Sequence, residues 1–460
     1  MSKRFRSCDL NQAILLPPSL QDWLPEDHLA RFLVDVVEEL DLSSFYAHYE
    51  EGDGRGKAAY DPRMMVRLIL FAYCWGVVSS RRIERATYDS VAFRYLAAND
   101  HPDHDTIAEF RRQFLEGLKG LFVQVLQLCQ RAGLVKLGHV AIDGTKMKAH
   151  ASRYRNRKYK QLQQEEKQLQ EEVEKLLARA EQVDQAEDQQ YGRSQKGEEL
   201  PQELAQPERR LEKIRQAKAS LEQEARERAE RKKREVEQQL AERREREQQS
   251  GRKLRGRPPK LPDEEAARPK PNSAGNLTDA DSRILRDGAT KAFVQAYNAQ
   301  AAVDEEHQII VAAEISQDRN DRAQLVPMVE QVASNSGKKP AAVTADTDYY
   351  SPKQVRHKSL AGIEIYIPPD EPRPRPGTVP TGKMTVAEGL RQKLRTEEGR
   401  AIYKKRRETV EPVFGQIKQG RGLRQFLLRG LQKVSGEWKL ICLTHNLLKL
   451  HSAGWTGCPN

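Results

Sequence analysis

The chain has 460 residues, of which 38% are hydrophobic, 32% charged and 6% aromatic. That is more chain than one core organises and more charge than one globular domain needs, so two or three units are expected. Lys and Arg number 78 against 67 Asp and Glu, and the net charge of +11 favours a polyanionic partner, nucleic acid or an anionic membrane surface. No run of about eighteen uncharged apolar residues occurs, and the opening Met1-Ser-Lys-Arg-Phe-Arg has no signal-peptide stretch, so membrane spanning and export are disfavoured and a cytoplasmic location is expected.

Residues 1–133 read as a helical domain. Apolar residues recur at helical spacing through 29–37 and 64–75, and Pro62 suits the first turn of the second segment. In 104–114, Asp105 or Thr106 is the expected N-cap and Glu109 its box partner, before an apolar face of Ile107, Phe110 and Phe114. Arg111 and Arg112 fall opposite that face, which makes this segment the candidate DNA-recognition helix. Any amphipathic helix has such a charged face, and that plainer reading stands beside it. The cysteines, Cys8, Cys74, Cys129, Cys442 and Cys458, are odd in number and never in Cys-x-x-Cys spacing, which predicts reduced thiols. Cys74 and Cys129 sit in apolar helical patterns as small core hydrophobes.

Residues 134–153 carry a first strand, whose apolar run Val140-Ala-Ile ends on Asp143. From 154 to 270 the composition changes to charged residues and Gln, the pattern of a solvated helix or of disorder, in which no packed core is expected. Leu162, Leu169, Val173 and Leu176 recur at three- and four-residue steps, as do Leu211, Ile214 and Leu221. With Gly197, Pro201 and Pro207 between the two sets, an antiparallel coiled-coil hairpin is expected, a disordered insertion being the alternative. The insert ends in a basic run, 251–260, whose Arg255-Gly-Arg257-Pro resembles an AT-hook lying in a narrow minor groove, against the plainer reading of a basic linker.

Residues 271–435 return to strand periodicity, with 292–303 and 308–315 as an antiparallel pair around the turn 304–307. A helix over 325–332, a strand 341–346 ending on Asp346, a strand over 363–367 and a C-terminal helix in 436–460 follow. Since the insert offers no core, the strands on either side of it are expected to join in one mixed α/β sheet.

Asp143 and Asp346 each stand where an apolar strand stops, at a sheet edge facing solvent. Two such carboxylates are half of a site for a hard divalent cation, which takes oxygen ligands from one or two side chains and from substrate phosphates. Glu411, on the helix expected over 403–419, is a candidate third ligand, flanked at steps of four and seven by Arg407 and Lys418 as phosphate-binding cations. Pro412 predicts a kink or a helix start there. Asp348, Asp279 and Asp281 are the alternative acidic positions, Asp321 reads as an N-cap with a supporting role behind the metal ligands as its alternative, and His445 as a packing residue.

The segments Val140-Ala-Ile-Asp-Gly-Thr-Lys, Asn276-Leu-Thr-Asp-Ala-Asp-Ser-Arg, Tyr297-Asn-Ala-Gln, Ala345-Asp-Thr-Asp-Tyr-Tyr and Val410-Glu-Pro-Val-Phe-Gly-Gln-Ile-Lys resemble those of the DDE transposases of bacterial insertion sequences, in particular the insertion sequence 1182 family. The resemblance runs over nearly the whole chain. It implies an α/β fold: a ribonuclease-H-like mixed-sheet catalytic core with an all-helical N-terminal domain and the charged helical hairpin inserted. It also implies Asp143, Asp346 and Glu411 as catalytic ligands of two Mg²⁺ ions, for which Mn²⁺ substitutes. The family's helix motif places an Arg and a Lys on Arg407 and Lys418, but its Tyr falls on Lys404, one residue after Tyr403.

The expected activity is binding of the element's own terminal repeats and metal-dependent hydrolysis and strand transfer of phosphodiester bonds, in a homodimer on double-stranded end and target DNA. Lys146, Lys148, Arg407 and Lys418 are expected to meet phosphate charge, with Arg111, Arg112, Arg255 and Arg257 as further DNA contacts. A nuclease of the same fold that does not join strands, and a catalytically silent DNA-binding protein, are the rival readings.

Overall fold

The computed structural model describes residues 19–50, 59–191, 202–250, 252, 256–262, 267–288, 290–369 and 385–455. The chain opens with helices α1 (Leu29–Glu38), α2 (Ser43–Glu50), α3 (Pro62–Cys74), α4 (Ser80–Asp89), α5 (Val91–Leu96), α6 (His104–Gln113) and α7 (Leu115–Arg131). Pro62 occupies the first turn of α3 behind the cap Asp61, where its missing N–H has no helical partner to lose. The start of α6 departs from expectation: Asp103 is the cap, its Oδ1 accepting Thr106 N at 2.6 Å. Glu109, the expected box partner, pairs with Arg112 instead.

The strands are β1 (His139–Lys148), β2 (Asn156–Lys158), β3 (Ala274–Asn276), β4 (Arg283–Arg286), β5 (Phe293–Asp304), β6 (Ile310–Ser316), β7 (Ala342–Thr344) and β8 (Glu364–Tyr366). β5 is paired along both edges, antiparallel to β1 on one side and to β4 and β6 on the other. β1 then pairs parallel with β7, and β7 parallel with β8. The central strand β5 is rich in buried alanine, at 296, 299, 301 and 302, which keeps the layers packed on it close.

Helices α10 (Leu325–Ser336), α11 (Pro352–Val355), α12 (Val386–Arg395), α13 (Glu397–Gly415) and α14 (Leu431–Ser452) complete the chain after β6, with a π turn over 416–420 closing α13. α14 is buried nearly all round, polar side chains such as Glu437, Thr444 and Asn446 included, against α3, α7 and β6. Trp438 Nε1 donates to Gln300 O at 2.9 Å, and the Asn446 amide exchanges two 2.8 Å bonds with the backbone of Ile310. Through α14 the N-terminal helices and the sheet share one apolar core, so residue 133 marks a change of element type and no break in packing.

The insert forms α8 (Tyr159–Tyr191) and α9 (Gln202–Ser250). They run antiparallel at their base: Tyr159 reaches Glu222, and Glu166 reaches Lys218. No domain core forms here, but Leu162 and Leu169 meet Leu211, Ile214, Ala217 and Leu221 in a small apolar seam that also takes in Leu277 and Ala280 from outside the insert. Leucines too few for a domain core suffice for one seam between two helices. The seam is fixed to the sheet by Arg283, whose guanidinium meets Glu224 at 2.7 Å. Among the described residues no helix is long and apolar enough to cross a membrane.

Candidate active site

The parallel register of β1 and β7 ends at Ala141 opposite Thr344. Asp143 and Asp346 each lie two residues beyond that pair, so both come to the carboxyl ends of neighbouring strands, where α/β sheets bind ligands. One expectation changes: β1 does not stop at Asp143 but continues along β5 to Lys148. What ends there is the pairing with β7, which opens the edge. Asp346 caps a short turn, its Oδ1 accepting Asp348 N at 3.0 Å.

Asp143 Oδ1 accepts the Gly144 amide at 2.8 Å, and its Oδ2 faces Arg406 Nη1 at 3.2 Å. Gly144 is required by crowding: a Cβ there would lie 2.4 Å from Gln300 Nε2 and 3.1 Å from both Asn298 Oδ1 and Asp321 Oδ1. Asp321 does not cap α10, a position held by Gln324. It is buried in the site, where its Oδ1 accepts Asn298 Nδ2 at 2.5 Å and Gln300 Nε2 at 2.7 Å, and its Oδ2 lies 3.7 Å from Lys146 Nζ. Tyr349 OH donates to Gln300 Oε1 in turn.

Burial pushes the Asp143 carboxyl up to about 6, against the pull of Arg406 and with a further push from Asp346. Burial likewise raises Asp346, helped by Asp348 and Asp321. Beside Asp346, with Asp321 and Asp348 also in its wall, opens a cleft of about 830 Å³ that carries Lys146, Lys148, Arg286, Arg319, Lys418 and Arg424. Lys418, on the π turn, donates to Thr145 Oγ1 and Lys146 O, and burial lowers its ammonium.

α13 turns a different face to the site than the sequence suggested. Arg406, Val410, Val413 and Ile417 point inward, while Arg407 and Glu411 point out, their side chains 77% and 59% exposed and 3.9 Å apart. Tyr403, one residue before the expected Tyr position, is half-buried with the Arg406 guanidinium 5.9 Å over its ring. Pro412 neither starts nor ends the helix: the carbonyl of Glu408, deprived of its N–H partner, accepts Gln308 Nε2 at 2.9 Å. Among the described residues no three Asp, Glu, His or Cys side chains converge closely enough to hold one metal ion.

Arg111 is the clearest correction. Expected on an exposed face, it is buried and donates to Val78 O and Ser80 Oγ at 2.6 Å and to Tyr73 OH at 3.3 Å. A guanidinium can be apolar-facing when carbonyls and hydroxyls meet it, and helix periodicity does not show those partners. Arg112 is exposed and bound to Glu109. Arg257 is exposed, while Arg255 lies outside the described residues. Asp279 and Asp281 hold the start of α14, accepting Gly430 N at 3.1 Å and Leu431 N at 2.9 Å. His445 is buried between Gln416 and the Gln308 carbonyl, and burial lowers its imidazole to about 3. Cys74, Cys129 and Cys442 are buried free thiols, Cys74 and Cys129 pushed up to about 12 by burial, while Cys8 and Cys458 lie outside the described residues.

Sequence reasoning missed Arg406, Asn298 and Gln300. Arg406 was within reach of it, standing three and four residues from Tyr403 and Val410 on the face that Val410, Val413 and Ile417 mark as inward.

Residues 18–113 match a family described as a transposase domain (DUF772), spanning α1 to α6. Residues 376–451 match a family described as a transposase DDE domain, which takes in α13, the π turn and nearly all of α14. No curated protein and no solved structure matches the chain. Found at two ends of one chain whose middle brings Asp143 and Asp346 to neighbouring strand ends, the two matches support an insertion-sequence DDE transposase and indicate a function in DNA transposition.

Proposed function

We propose that the protein binds the ends of its own insertion sequence and cuts and joins DNA there in a metal-dependent reaction, on a ribonuclease-H-like core. The observation that carries this is the placement of Asp143 and Asp346 just beyond the paired ends of adjacent parallel strands, with Asp346 lining a cleft walled by lysine and arginine and Asp143 next to its wall residue Gly144. The sheet supports the core assignment: β6, β5 and β1 are antiparallel and β7 and β8 extend parallel to β1.

The residues fit a hard divalent cation. Asp143 and Asp346 offer carboxylate oxygens, and burial with mutual repulsion raises both, a tension that a bound cation relieves. In this reading Asp143 and Asp346 hold Mg²⁺ or Mn²⁺ together with substrate phosphate, while Glu411, the third ligand by family resemblance, lies on the outward face of α13 and joins them only if that helix turns. When bound, the cations supply the charge that activates the attacking hydroxyl and stabilises the leaving oxygen. Lys146, Lys148 and Lys418 hold the phosphate backbone in the cleft, and Arg407 and Arg112 extend that positive surface outward. Gly256 and Arg257, at the foot of α9, add a minor-groove contact, and two copies of the chain pair the two element ends.

The test uses purified full-length protein, a duplex carrying the element end, and the same end already cleaved. The proposal expects Mg²⁺-dependent nicking of the first and joining of the second to target DNA. Nicking without joining indicates a nuclease, and binding without either a silent DNA-binding protein.

A further inference from the structure

The buried arginines of this chain are held in two different ways. Arg421 donates to Ile441 O and Thr444 Oγ1, and Arg111 to Val78 O and Ser80 Oγ, so both are tied to fixed neutral acceptors and serve the fold. Arg406 is as enclosed, its side chain 10% exposed, yet among the described residues it donates to no backbone carbonyl. Its guanidinium meets Asp143 Oδ2 at 3.2 Å and lies against the Tyr403 ring. Of the nearby carboxylates Asp143 and Asp346 act on it, Asp321 and Asp348 act in turn on Asp346, and Arg406 stands at Asp143 as Lys146 stands at Asp321. A guanidinium carries five N–H donors, and this one spends few of them. It therefore occupies the place of a cation at Asp143 while keeping donors for an anion.

We propose that Arg406 is a positioning residue that exchanges partners: it holds Asp143 while no cation is bound, yields that carboxylate to a divalent cation, and then meets a phosphate oxygen of DNA in the cleft. This rests on the reading of Asp143 as a cation ligand. The exchange couples metal and DNA binding, and the coupling is reciprocal.

The experiment measures Mn²⁺ binding to the full chain by calorimetry without DNA, for the wild type, Arg406→Gln, Asp143→Asn and the same-helix control Arg400→Gln. Removing a competing unit charge a few ångströms from the ion should tighten Mn²⁺ binding about tenfold in Arg406→Gln and leave Arg400→Gln within about twofold. Binding that is unchanged or weaker in Arg406→Gln overturns the exchange and makes Arg406 a fixed clamp. A second readout is duplex affinity with and without Mn²⁺: the enhancement in the wild type should fall in Arg406→Gln and return in Arg406→Lys, and equal enhancement in all three overturns the proposal. If Arg406→Gln does not fold, Arg406→Met repeats the measurement with the stem's packing kept. Mn²⁺ binding to Asp143→Asn at wild-type strength would instead sink the reading of the site itself.

Discussion

Replacing Arg111 by Ala separates a structural arginine from a DNA contact. The guanidinium is 7% exposed and satisfies Val78 O, Ser80 Oγ and Tyr73 OH, and its charge faces the fully buried Glu437. Truncation leaves the Val78 carbonyl unpaired at a cost of about 1–3 kcal/mol and removes a positive charge that favours a buried carboxylate, so the sum should reach about 2–4 kcal/mol. Arg112→Ala, one position on, loses only an exposed pair with Glu109 and should stay within about 0.5 kcal/mol of the wild type. Urea unfolding followed by circular dichroism reads both as midpoint shifts at constant slope. If Arg111→Ala proved as stable as Arg112→Ala while losing affinity for element ends, the structural account of Arg111 would fail, and the recognition role suggested by its sequence position would stand.

Asp143→Asn should stabilise the metal-free protein. The carboxyl is raised from 3.8 to about 6 in the fold, so at pH above about 6 its ionised form destabilises the native state by about 3 kcal/mol relative to a neutral side chain. The advantage of the variant should be full above pH 6, shrink as pH falls through the window from 6 to 3.8, and vanish below 3.8, where folded and unfolded carboxyls are both protonated. A variant less stable than the wild type at pH 7.5 would show that the Arg406 pair outweighs burial. Gly76→Ala should cost more than about 2 kcal/mol, since Gly76 has φ +70° and a Cβ there would lie 1.9 Å from the carbonyl oxygen of Arg421. An unchanged melting temperature in that variant would mean that α3 and the segment after the π turn are not packed as described.

The pieces that could be read from the sequence are those governed by local periodicity. Alternation in 292–303 and 308–315 gave the β5 and β6 pair, Pro62 marked the start of α3, and the apolar runs before Asp143 and Asp346 marked two strands meeting at one edge. What failed depended on partners distant in sequence. Arg111 is inside because Val78 and Ser80 wait for it, and Asp321 is inside because Asn298 and Gln300 supply amide donors. The leucine steps of the insert pointed to contact between its two helices, but nothing local showed that Leu277 and Ala280, outside it, pack on the same seam. On α13 the motif steps chose Arg407 and Glu411, which the fold leaves exposed, whereas the inward valines fix Arg406 as the residue facing Asp143.

The central claim is that Asp143 and Asp346 together hold the catalytic cation. Anomalous diffraction from crystals of the full chain grown with Mn²⁺ and an element-end duplex tests it most directly. The account predicts a manganese peak within about 2.5 Å of carboxylate oxygens of both Asp143 and Asp346, with Arg406 turned away from Asp143. Manganese found only elsewhere, with the Arg406 to Asp143 pair intact beside bound DNA, would contradict it.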